Sequence, residues 1–96
     1  MYDYTGWIVQ ATAGRDRDGM FCVVGVDQEQ GRLLLADGKR RKASRPKRKK
    51  LGHVKPLTGC PHGFDHPAIQ KLKQGEALSD KELRRALAAF RDQLEV

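Results

Sequence analysis

Two groups of residues in this 96-residue chain have types and spacings that could do chemistry. The larger is Lys39-Arg40-Arg41-Lys42 followed by Arg45-Pro46-Lys47-Arg48-Lys49-Lys50; with Lys55 it places ten cations and no acid within residues 39–55. Like charges repel, so folding gains nothing by collecting them, and a polyanion would neutralise them. Arginine can grip a phosphate with two parallel hydrogen bonds, whereas lysine acts as a point charge. A merely solvated run and an address signal are the competing readings. The smaller group is Cys60-Pro61-His62-Gly63-Phe64-Asp65-His66, with His53 upstream. It contains side chains that zinc accepts, but the paired-cysteine knuckle of a structural zinc site is missing. The segment 58–66 reads instead as a linker, punctuated by Gly59, Pro61 and Gly63, with Phe64 as an anchor. No metal or other cofactor is expected.

Catalysis has less support still. Cys60 and His62 are neighbours in sequence, which seldom meet as nucleophile and base. There is no Ser/His/Asp constellation and no glycine-rich loop opening a helix. The chain is therefore read as a binding protein without catalytic residues.

Composition agrees. The chain is 39% hydrophobic and 32% charged, with a net charge of +7, which suits one small domain with a modest core. The charge is sharply partitioned. Residues 1–38 hold three arginines against six carboxylates, residues 39–55 hold only cations, and residues 56–96 hold six of each sign. No apolar run approaches the twenty or so residues that a bilayer requires. With no basic leader before an apolar stretch and only Cys22 and Cys60, a cytoplasmic protein is expected.

The elements that would position the basic run follow from periodicity. Gly6–Ala11, Met20–Val26 and Arg32–Ala36 read as strands separated by polar, glycine-bearing turns, and Asp37-Gly38 is a hairpin signal. Turns this short leave no room for crossover helices, so the strands form an antiparallel meander. Two further short strands are expected around Arg40–Ala43 and Gly52–Lys55. Pro46 and the charge density suggest an extended basic arm over 39–55. Pro67–Lys73 predicts a short helix ending before Gly75. Ser79-Asp80-Lys81-Glu82 fits a capping box, and Leu83, Leu87, Phe90 and Leu94 then make one apolar stripe. The expected fold is mainly β with a C-terminal helical hairpin.

The stretch Gly6-Trp-Ile-Val-Gln-Ala-Thr-Ala-Gly14-Arg-Asp-Arg-Asp-Gly19-Met-Phe-Cys-Val-Val-Gly-Val26 resembles the KOW motif. The continuation Leu35-Ala36-Asp37-Gly38, Arg40-Arg41-Lys42, Arg45-Pro46-Lys47-Arg48-Lys49-Lys50 and His53 is similar to KOW-domain RNA-binding proteins. It resembles the fourteenth large-subunit ribosomal protein of archaea and eukaryotes, and still more closely the short bacterial relatives of that protein. The resemblance covers about residues 5–57. It implies a small SH3-like antiparallel barrel over residues 1–57, carrying the basic arm 39–55; the linker 58–66 and a helical pair over 67–96, packed on the barrel or on a partner, are read from pattern alone. It also implies that the partner is RNA, specifically ribosomal RNA of the large subunit, with ribosomal proteins as further neighbours; the free protein is expected to be a monomer.

The RNA-contacting residues would be Gly14, Arg15 and Arg17 of the first turn, with Lys39, Arg40, Arg41, Lys42, Arg45, Lys47, Arg48, Lys49 and Lys50. Glycine at position 14 would let a nucleic-acid backbone approach. Asp16 and Asp18 either orient the turn arginines or weaken phosphate contact. Trp7, Tyr2 and Tyr4 could stack on bases, although a tryptophan opening a strand is more often a core or lid residue. The alternative function is a protein–protein adaptor of the transcription or translation machinery, using the barrel and the Leu83–Leu94 stripe.

Overall fold

The computed structural model describes residues 1–58 and 64–94. Five antiparallel strands are followed by two helices: β1 (Ile8–Ala11), β2 (Met20–Asp27), β3 (Arg32–Ala36), β4 (Lys47–Lys50), β5 (Val54–Pro56), α1 (Pro67–Lys73) and α2 (Asp80–Leu94). The strand order is β4-β3-β2-β1-β5. β4 and β5 are thus the two edges of the hydrogen-bonded order, yet only the three-residue 3-10 turn Leu51–His53 joins them. In a flat sheet, four strand spacings of about 4.8 Å would hold those edges about 19 Å apart. Three linking residues in a tight helical turn cannot span that, so the sheet must coil on itself. The Thr12 N–H donates to the His53 carbonyl at 2.9 Å, carrying the turn back against the end of β1.

The fourth strand differs from the sequence expectation. Arg40–Ala43 is not a strand, because the Asp37 carboxylate accepts hydrogen bonds from the backbone N–H groups of Lys39 and Arg41, both at 2.9 Å, and folds the chain into a turn. Strand pairing resumes at Lys47–Lys50, which register against Leu35–Arg32 of β3. The second half of the basic run is therefore a strand of the sheet, not an arm free of it. The fifth strand lies at Val54–Pro56 instead of Gly52–Lys55.

Alternation along the strands gives the sheet two apolar faces. Val9, Ala11, Phe21, Val23, Leu33, Leu35 and Val54 fill the concave side. Ile8, Cys22 and Ala36, aligned across β1, β2 and β3, face the helices. The last two are small, which lets α1 and α2 pack close with Ile69, Leu72, Leu83, Ala86, Leu87 and Phe90. Each large side chain buried there contributes roughly 1.5–3 kcal/mol. The stripe on α2 thus has its partner within the chain, and it stops at Phe90, since Leu94 is 56% exposed.

The helix ends obey local chemistry. Ser79 Oγ accepts the Glu82 N–H and the Glu82 carboxylate accepts the Ser79 N–H, both at 3.1 Å, a reciprocal capping box. Lys71 Nζ reaches the same carboxylate at 2.7 Å, tying α1 to α2. That hydrogen bond and the Ser79 N–H pull the Glu82 carboxyl down to about 2. His66 caps α1, its Nδ1 accepting the Ala68 N–H at 3.1 Å.

Candidate nucleic-acid interface

The turn between β1 and β2 and the loop between β3 and β4 carry most of the cations picked out by the sequence, and the fold sets them side by side. Their junction is Asp16. Of the alternating Arg15-Asp16-Arg17-Asp18, only Asp16 points inward, and it is 3% exposed. Its Oδ2 accepts from Arg41 Nη2 at 2.9 Å and its Oδ1 from Arg41 Nε at 3.3 Å, a two-point grip on one guanidinium. Arg40 Nη2 stands 3.7 Å from Oδ1 and donates to the Arg15 carbonyl at 3.4 Å. The Arg41 hydrogen bonds, helped by the charges of Arg41, Lys49 and Arg40, hold the Asp16 carboxyl below the usual carboxylate range against the cost of burial.

Lys49 is the second inward member. It lies on the face of β4 that meets the concave core, 7% exposed, and its ammonium donates to the Ala13 carbonyl at 2.7 Å. Gly14 makes room for it. The backbone there has φ +81°, and a Cβ at that position would stand 2.9 Å from Lys49 Nζ. The group that approaches Gly14 in the folded chain is thus the protein's own lysine.

The loop is held from its other side by α2. The Asp80 carboxylate accepts the Ala43 N–H at 2.7 Å, and Arg84 Nη1 donates to the Gly38 carbonyl at 2.7 Å. Gly38, at φ +79°, lies directly against the Asp80 carbonyl, so a Cβ there would collide with the helix backbone. Neither Asp80 nor Arg84 is visible as a site residue in sequence, because each is forty or so positions from the loop it holds. Asp16 left a trace, its alternation with arginines.

Of the residues expected to contact RNA, Arg41 is half-buried against Asp16, and Lys49 is buried with its ammonium on the Ala13 carbonyl. Arg15, Arg17, Lys39, Arg40, Lys42, Arg45, Lys47, Arg48 and Lys50 are exposed. Arg48 approaches Asp27 at 3.6 Å. Arg15, Arg17, Lys39, Lys42, Arg45, Lys47 and Lys50 enter no ion pair among the described residues. Beside Arg40 a groove of about 430 Å³ also takes in Gln10, Asp18, Met20 and Leu57, and Arg91 from α2. Arg91 was not among the residues singled out from sequence; it reaches this surface only through the docking of α2.

Tyr2, Tyr4 and Trp7 form a mutual edge-to-face cluster, the Tyr4 and Trp7 centroids 4.8 Å apart. Tyr4 and Trp7 cover one end of the concave core, while Tyr2 is exposed. His53 lies on the exposed 3-10 turn and His66 is spent on its helix cap, and Cys60 and His62 lie outside the described residues. Cys22 is fully buried, and desolvation pushes its thiol up to about 12. No helix among the described residues is long and apolar enough to cross a membrane. In comparisons with known proteins, no family model matches the chain and no curated protein matches it.

Proposed function

We propose that this chain is a non-catalytic RNA-binding module of the KOW type, built on an SH3-like barrel, which contacts phosphates of structured RNA in the large ribosomal subunit. The observation that carries this reading is the concentration of nine exposed arginine and lysine side chains on one turn, one loop and one edge strand that the fold brings together. The strand order β4-β3-β2-β1-β5, with its coiled edges joined by a single 3-10 turn, supports the barrel. The KOW-like residues from Gly6 to Val26 and the basic continuation support the ribosomal partner. The site would act by charge neutralisation, with Arg15, Arg17, Lys39, Lys42, Arg45, Lys47 and Lys50 reaching phosphates and no bond being made or broken.

The test is sedimentation of cell lysate through sucrose at low and high salt, following this protein. The comparison variant changes Lys39, Lys42, Arg45, Lys47 and Lys50 to glutamine and spares Arg41 and Lys49, which the fold needs. Co-migration of the wild type with large subunits, lost with salt and with the variant, is the expected result. If about six phosphates are contacted, affinity for purified RNA falls with a log–log salt slope of roughly −4 to −5. Migration as a free small protein under both conditions would reject the ribosomal assignment.

A further inference from the structure

The two basic segments are not independent. We propose that Asp16 is a positioning residue that locks the turn 12–19 and the loop 37–46 into one surface of fixed phosphate spacing, so that the protein selects folded RNA over a single strand. This inference rests on the RNA-binding reading above. Asp16 belongs to the turn, yet its carboxylate is spent on Arg41 and Arg40 of the loop, and Arg40 closes the junction on the Arg15 carbonyl. Opposite, Asp80 and Arg84 fix the loop at Ala43 and Gly38. Exposed Arg15 and Arg17 on one side, and Lys39, Lys42 and Arg45 on the other, therefore spring from backbones whose separation is set before any ligand arrives.

A fixed array is matched by a fixed array. In folded RNA, phosphates of two strands hold set distances, and the protein gives up little conformational entropy in meeting them. A flexible single strand must be ordered onto such a surface and gains less from its rigidity.

The sign of the effect makes the idea testable. A carboxylate amid cations that served only its own charge would repel phosphate, and removing it would tighten binding to any polyanion. A carboxylate that sets the array would, when removed, weaken binding to the folded ligand although the net charge rises by one. The experiment is fluorescence anisotropy on the full chain with a stem-loop RNA and with single-stranded oligouridine of equal length. Wild type, Asp16→Asn and Arg41→Lys are compared, and circular dichroism reports folding. Arg41→Lys keeps every charge and removes only the two-point grip.

The expected result is stem-loop affinity about five- to tenfold weaker in both variants, with oligouridine affinity unchanged or higher. If Asp16→Asn fails to fold, Arg41→Lys alone decides. Folded variants that bind the stem-loop as tightly as wild type, or tighter, overturn the inference and leave the RNA reading intact. A wild type that binds neither RNA overturns both.

Discussion

Replacing Gly14 by alanine is a local change whose cost should divide into two separable parts. The first is backbone strain, since alanine at φ +81° costs about 1–2 kcal/mol. The second arises because the new Cβ would meet Lys49 Nζ at 2.9 Å and push the ammonium off the Ala13 carbonyl. A hydrogen bond from a charged donor contributes about 1.5–3 kcal/mol, partly recovered here if the displaced ammonium finds water at the exposed turn. The sum is about 2–4 kcal/mol. In a Lys49→Met background the second part is already gone, and Gly14→Ala should then cost only the backbone part. Urea unfolding of the four proteins of this double-mutant cycle reads the difference directly, and a coupling of about 1–2 kcal/mol is expected. Additive costs, within a few tenths of a kcal/mol, would refute the account of Gly14 as the space in which Lys49 finds its partner.

Leu83→Ala, at a site with no exposure beneath the sheet, should cost about 2–5 kcal/mol in thermal or urea unfolding, whereas Leu94→Ala should stay within about 0.5 kcal/mol. The lowered Asp16 carboxyl makes stability pH-dependent in one direction. Its contribution is complete above the unfolded value near 3.8 and is lost as pH falls through the lower folded value, so Asp16→Asn should flatten the acid limb of a stability–pH curve. Cys22 in a Cys60→Ser variant should resist iodoacetamide at neutral pH while folded and react fully in concentrated urea, as read by mass spectrometry. Ser79→Ala, which breaks one arm of the α2 capping box, should cost about 1 kcal/mol by the same unfolding assay.

What could be read beforehand was whatever local rules decide. The apolar alternation of β1 to β3 and the helix punctuation at Pro67, Gly75 and Ser79 are properties of neighbouring residues, and the elements form close to where those signals stand. The strand Lys47–Lys50 has no such signal. Four consecutive cations predict a solvated arm, and they become a strand because β3 offers an unpaired edge and because Lys49 finds a carbonyl and a nearby carboxylate inside the fold. The site followed the same division. The identity of the cations was plain, but Asp16, Asp80 and Arg84 act over 25 to 46 positions of sequence, and no spacing rule reaches that far.

Gly38 has a consequence for how this sequence can drift. Its neighbours Lys39, Arg40 and Lys42 are exposed, and lysine and arginine can replace one another at such positions with little effect on folding. Gly38 tolerates no side chain, because both its backbone angle and the Asp80 carbonyl stand in the way. In a saturation library selected only for folding, position 38 should therefore be a column frozen at glycine beside the exposed positions 39, 40 and 42, which scramble. That column would mark the spot where the helix presses on the loop, and it could be found by sequencing survivors alone.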